Sequence, residues 1–170
     1  EFDLISIPEI VKNEYNTPML NSVFDLAQKK SSNEIMVFVN ADILLSQDLI
    51  SVVENIYIRK FLVSGRRYDV DLRREMSFED KTEYSKLEIK VKNEGILHGY
   101  SGKDYFIFRK NTVKMLPFAV GRPGWDDWLL YHMREQCIPI INSTHSITAI
   151  HQNHDYSHSK YGEDKRVSGP

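Results

Sequence analysis

Three short stretches of this chain hold side chains whose types and spacing suit chemistry. The first is Asn40-Ala41-Asp42, which follows the apolar run Ile35–Val39. In open parallel sheets, ligands sit beyond the carboxyl ends of strands. A carboxylate beside a core strand is costly unless paired or bound to a cation. A divalent ion with oxygen ligands would remove that cost and hold a diphosphate as well. A plainer account serves equally: Asp42 caps the next turn through its own backbone.

The second stretch is Gly124-Trp125-Asp126-Asp127-Trp128, preceded by Gly121, Arg122 and Pro123. Carboxylates at a helix N-terminus interact well with its dipole. One of the two is enough to cap or orient, and the other is placed to accept a proton from a hydroxyl. An indole beside a carboxylate suits the apolar face of a sugar ring. Trp125 fits that role, while Trp128 suits the core. The third stretch is His151, His154 and His158. Neutral imidazoles ligate metals. A structural zinc site would want more cysteine or histidine, so the pattern points to one histidine completing an oxygen-rich Mn²⁺ or Mg²⁺ site. His151 ends an apolar run and ranks ahead of His154. His158 reads as an exposed loop residue.

Two weaker groups accompany these. Arg66, Arg67, Asp69 and Asp71 follow another apolar run; the arginines either clamp phosphate or pair with the neighbouring aspartates. Gly102 and Asp104 precede a strand, where a glycine lets backbone approach a ligand or simply makes a tight turn.

The elements that must position these residues follow from periodicity. A short strand is expected at Leu4–Ile7. Thr17 and Pro18 are expected to open a helix with Leu20, Val23, Phe24 and Ala27 on one face. Residues 34–40 read as a strand apolar on both faces, hence central and parallel. Ser46 is expected to cap a helix carrying Leu49, Val52, Val53 and Ile56. "FLVSGRR" reads as one strand. Ser77 and Asp80 are expected to cap a solvated helix through Tyr84, Leu87 and Val91 that ends near Gly95. "DYFIFRK", "IPIIN" and "SITAIHQ" read as strands, with the helix of Asp126 and Asp127 between the first two. Strands and helices alternate, which defines an α/β class with a mostly parallel sheet.

The chain has 170 residues, 41% apolar and 27% charged, with a formal net charge of −2. That length suits one domain with a sizeable core. The balanced charge gives no case for nucleic acid or an anionic membrane surface. No apolar run approaches the roughly 20 residues of a membrane span. The lone Cys137 sits among apolar neighbours and is expected to be a buried, inert thiol. A free cysteine and no signal pattern point to a cytoplasmic location. The triplet Asn142-Ser143-Thr144 is a sequon of a kind that often arises by chance. The chain opens in mid-alternation, as a fragment lacking earlier strands would.

In their order, "NTPMLNSVFDLAQKKSSNEIMVFVNADILL", "YFIFRK" and "DDWLL" resemble a nucleotide-sugar glycosyltransferase of the GT-A fold, family-2-like. The likeness implies a GT-A-like (Rossmann-like), mostly parallel sheet flanked by helices over residues 1–158, with a polar tail at 159–170. The usual first βαβ segment is absent or cut short. The resemblance implies a metal-dependent, inverting transfer from a nucleotide-diphosphate-sugar to a glycan or other hydroxyl acceptor. Asp42 would match the metal-binding end of an Asp-x-Asp motif, with Asn40 in place of the first aspartate. Asp127 would be the catalytic base and Asp126 its neighbour. His151, with His154, would complete the Mn²⁺ or Mg²⁺ site. Asn40, Ala41, Arg66, Gly102, Asp104, Gly124 and Trp125 would bind substrate. The alternative is a catalytically inactive sugar- or nucleotide-binding module.

Overall fold

In this computed structural model, residues 5–72 and 81–153 are described. The elements run α1 (Leu20–Lys30), β1 (Ile35–Val39), β2 (Ile43–Leu45), α2 (Asp48–Glu54), β3 (Leu62–Ser64), β4 (Arg67–Val70), α3 (Lys81–Glu94), β5 (Ile96–Leu97), β6 (Tyr105–Arg109), α4 (Trp125–Glu135), β7 (Ile140–Asn142) and β8 (Ala149–Gln152). The strands form two four-stranded sheets, ordered β1-β6-β3-β7 and β2-β8-β4-β5. Among the described residues only the pairs β3·β7 and β4·β8 are parallel, and the other four are antiparallel.

This corrects the expected mostly parallel, GT-A-like (Rossmann-like) sheet. The reason lies in the spacing. The strands come in twos between helices, and the short link within each pair is no helical crossover, so the regular strand–helix–strand order of a parallel sheet is broken. Each pair is instead divided between the sheets. The stretch read as one strand, "FLVSGRR", breaks at Gly65-Arg66, with β3 in one sheet and β4 in the other.

β1 is an edge strand, paired antiparallel to β6, and not a central parallel one. Its alternation explains the difference. Met36 and Phe38 pack on the core, while Val37 and Val39 remain 41% and 40% exposed. The centre of that sheet goes to β6, whose Tyr105, Phe106, Ile107 and Phe108 are all buried. The cost assigned to Asp42 therefore falls away, because it follows a half-exposed strand and is itself exposed in a turn.

Helices cover the sheets through apolar faces. Leu20 and Phe24 of α1 join Trp125, Leu129 and Met133 of α4 against Leu62, Phe106 and Phe108. Leu49, Val52 and Val53 of α2, followed by Ile56, pack on Phe61, Val63 and Ile107. Leu87 and Val91 of α3 meet Val70 and Ile150. α3 ends as its sequence suggests, with the Gly95 amide donating to the Val91 carbonyl; Ser77 and Asp80 lie outside the described residues.

Local details depart from expectation at four points. Ile5 to Ile7 form no strand, and Ile5 is 84% exposed. Thr17 does not cap α1; its amide donates to Asn13 Oδ1 in the preceding turn, and the helix starts at Leu20. Ser46 bonds Asp48 and receives the Thr148 amide, tying α2 to the strand β8. Cys137 is exposed, not buried, and has a left-handed backbone with φ of 56° after α4. Among the described residues no helix is long and apolar enough to cross a membrane.

Candidate functional site

Strand register brings the polar residues together. Val39 pairs with Tyr105 in the β1·β6 ladder, so Asn40 falls beside Asp104. The Asn40 amide nitrogen donates to the Asp104 carbonyl at 3.0 Å. Its side-chain NH₂ donates to Asp104 Oδ1 at 2.8 Å. Arg67 and Asp69 are two apart on β4 and so share one face. Arg67 donates through Nε to Asp69 Oδ1 at 2.9 Å and through Nη1 to Asp104 Oδ2 at 2.7 Å. Asp69 also stands opposite His151 in the parallel β4·β8 register. Their contact, Nδ1 to Oδ1, is 3.0 Å. His98 Nδ1 reaches the other oxygen of Asp69 at 2.6 Å. His151 in turn pairs with Ile43 of β2, which puts Asp42 next to it. His151 Nε2 and Asp42 Oδ2 are 3.4 Å apart. One chain of contacts thus runs Asn40–Asp104–Arg67–Asp69–His151–Asp42.

The charges in this chain are set by their neighbours. Burial disfavours the Asp69 carboxylate, but the His98 hydrogen bond and the Arg67 guanidinium outweigh it, holding its pKa below the usual range. Burial likewise opposes the Arg67 charge, and Asp104 with Asp69 more than offsets it, so its pKa is raised. An ionised carboxylate only accepts, so both histidines donate through Nδ1–H to Asp69. For His151 that turns Nε2 toward Asp42.

Trp125 places the other wall. Its ring is wedged against Phe38 of β1 and Phe106 of β6, with centroids 5.2 and 5.3 Å away. That pins the start of α4 beside the ends of those two strands. Gly121 and Gly124 precede it with φ of 78° and 96°, and Gly124 is the N-cap, a left-handed position that suits glycine. Asp126 and Asp127 follow in the first turn. Lys103 joins them, with Nζ 3.3 Å from Asp126 Oδ2 and 3.0 Å from Asp127 Oδ1. Burial works against the ammonium, and the two carboxylates more than offset it, raising its pKa. Asn40, Asp104, Arg67, His98 and this acidic helix end all line one cleft of about 510 Å³.

The sequence-derived candidates separate accordingly. Asn40, Gly102, Asp104, Gly124, Asp126 and Asp127 share the cleft. Trp125 touches it but is only 9% exposed, its faces spent on phenylalanines. Gly102 has no room for a side chain, since a Cβ would come within 2.6 Å of His98. Ala41 is exposed in the turn joining β1 to β2. Arg66 is occupied structurally. Its Nε donates to the His98 carbonyl at 2.6 Å, and its guanidinium lies 4.9 Å from the Tyr100 ring centre. Asp42 and His151 meet at the far end of the contact chain, and His154 lies outside the described residues. Trp128 stacks on His132 and packs against Phe118.

Of four residues that the geometry makes central, two were ranked low on sequence and two were missed. Asp69 and Arg67 had a legible signal, the shared face of β4, but were offered only as a weaker group, the arginine either clamping phosphate or pairing with a neighbouring aspartate. His98 and Lys103 carried none, since their roles depend on the β5–β6 loop folding back over the cleft. Among the described residues no group of three or more His, Cys, Asp or Glu side chains is arranged to hold a metal ion. The chain matches no family model, no curated protein and no solved structure.

Proposed function

We propose that the cleft binds a nucleotide-diphosphate-sugar and that the protein transfers the sugar to an acceptor hydroxyl. The observation that carries this reading is that the Asn40–Asp104 pair and the Asp126–Asp127 helix end, far apart in sequence, line the same cleft. In the transfer, the acceptor oxygen bonds the anomeric carbon as the bond from that carbon to the phosphate oxygen breaks. The hydroxyl proton passes to Asp127, whose side chain is 76% exposed, and the nucleoside diphosphate leaves with the electron pair. Attack from the face opposite the leaving group inverts the anomeric centre.

Asp42 and His151 fit a divalent cation such as Mn²⁺ or Mg²⁺. Asp69 fixes the imidazole with Nε2 toward Asp42, the arrangement that carboxylates impose on metal-binding histidines; the Asp42 carboxylate suits either ion, and the imidazole nitrogen favours the softer Mn²⁺ over Mg²⁺. Neither Asp42 nor His151 lines the cleft itself, so such a cation would neutralise a departing diphosphate that extends past Asn40 to Asp42. Its remaining ligands would come from the diphosphate and water.

A second reading has its own support. The Lys103 ammonium engages an oxygen of Asp127, which favours a module that binds nucleotide sugars without turning them over.

Thermal-shift screening against UDP-, GDP- and dTDP-sugars with Mn²⁺ tests the binding, and CMP-sugars, which lack a diphosphate, serve as the contrast. Stabilisation by at least one diphosphate sugar is expected. Transfer to a hydroxyl acceptor should fall by roughly 10²–10⁴-fold in Asp127→Asn while the thermal shift persists. Binding without turnover in the unmutated protein selects the module. No stabilisation by any of these sugars overturns both readings.

A further inference from the structure

A second, smaller cavity of about 180 Å³ adjoins the cleft, and Lys103 lines both. Its volume equals about six waters at roughly 30 Å³ each, which suits one six-membered ring and not a nucleotide. Leu130 of α4 and Ile140 of β7 give it apolar walls. Tyr100 stands at its edge, 80% exposed, with Arg66 packed on the ring. An exposed phenol is normally free to swing, but two contacts hold this one. The Arg66 guanidinium is tied to the His98 and Leu97 carbonyls. The Tyr100 carbonyl accepts from Lys103 Nζ at 2.9 Å. Across the cavity, Asn142 Oδ1 accepts both the amide and the hydroxyl of Thr144, which fixes the side-chain amide at the wall.

Resting on the proposed transfer, we infer that this pocket is the acceptor subsite and takes a pyranose, the terminal sugar of a glycan. A pyranose has an apolar face for an aromatic ring and a rim of hydroxyls. Tyr100 supplies the first partner, and the side-chain NH₂ of Asn142, whose oxygen is taken up by Thr144, supplies a donor for the second. Lys103 contacts Asp127 at 3.0 Å, so a hydroxyl of a ring held here arrives beside the proposed base.

Saturation-transfer NMR with methyl β-glucopyranoside, methyl β-galactopyranoside and methyl α-mannopyranoside tests this directly, with p-cresol as the aromatic contrast. At least one pyranoside should receive saturation from the protein. Tyr100→Ala should weaken that binding by roughly tenfold, and Tyr100→Trp should restore it. Binding of none of the pyranosides, binding indifferent to Tyr100→Ala, or preference for p-cresol overturns the inference. Tyr100 lies outside the larger cleft, so stabilisation by nucleotide sugars in Tyr100→Ala reports on that cleft separately. Nucleotide-sugar binding without pyranoside binding rejects the acceptor subsite alone. Tyr100-dependent pyranoside binding without nucleotide-sugar binding rejects the transfer and leaves a sugar site.

Discussion

Asp69 and His151 face each other across a parallel strand pair, Oδ1 to Nδ1 at 3.0 Å, and the same carboxylate holds Arg67 and His98. Removing its charge leaves a half-buried guanidinium short of one partner. Asp69→Asn is therefore expected to cost about 2 kcal/mol near neutral pH, measured by urea unfolding. The pH dependence has a definite sign. The folded-state pKa of Asp69 is lowered, so its contribution is present above the unfolded value and lost as pH falls through the folded one. The gap between the two proteins should narrow when the titration is repeated near pH 3. A gap that widens there contradicts the network.

The same carboxylate bears on cation affinity. Mn²⁺ binding, followed by electron paramagnetic resonance with a nucleoside diphosphate present, should weaken by roughly 10–100-fold in Asp69→Asn, because the imidazole loses its orienting partner. Asp42→Asn and His151→Gln should weaken it at least as much. Equal affinity in all four proteins would remove the cation from the proposed site.

Lys103 separates two carboxylates of unequal exposure, Asp126 at 19% and Asp127 at 76%. Solvent screens the second strongly, so Lys103→Met should cost only about 1 kcal/mol. The lysine pKa is raised by folding, so that stabilisation is complete below the unfolded value and disappears as pH rises through the folded one. Paired chemical denaturation at about pH 8 and about pH 11 should show the difference shrinking at the higher value.

Gly65 leaves no space for a side chain. An added Cβ would lie 2.3 Å from the Tyr105 hydroxyl and 2.8 Å from the Thr144 nitrogen. Gly65→Ala should destabilise by about 2 kcal/mol. Tyr105→Phe in the same chain should recover part of that loss, since it removes the nearer obstacle. Strict additivity in a double-mutant cycle would show that the clash lies elsewhere.

Much of this was legible in the sequence, and the remainder was hidden for identifiable reasons. The apolar stripes of Leu20–Phe24 and Leu87–Val91 did place two helices, because a helix face follows one short period, and the glycine-rich start before Asp126 placed a third. Sheet membership is not local. Nothing in "FLVSGRR" says that Leu62 and Arg67 belong to different sheets; that depends on Tyr105 filling the space beside Gly65. The cleft shows the same division. Asp126 and Asp127 announced themselves through a glycine-rich helix start, and Asn40 through its place after a strand. Lys103 did not, because its acidic partners Asp126 and Asp127 lie more than twenty residues away and are brought near by Trp125 wedging between Phe38 and Phe106.

The two parallel pairs are entered in the same order, β3 then β4 and β7 then β8. Two of the crossings between the sheets, β3 to β4 and β7 to β8, therefore run side by side. The passages are stitched by the Ser143 amide to the Ser64 carbonyl, by the Arg66 amide to the Thr144 hydroxyl, and by Tyr105 donating to Ser143 Oγ, which donates onward to Ser64. Neither sheet can peel away without rupturing both crossings together. The halves are obliged to melt cooperatively, and a disturbance at this suture reaches the far ends of both ladders.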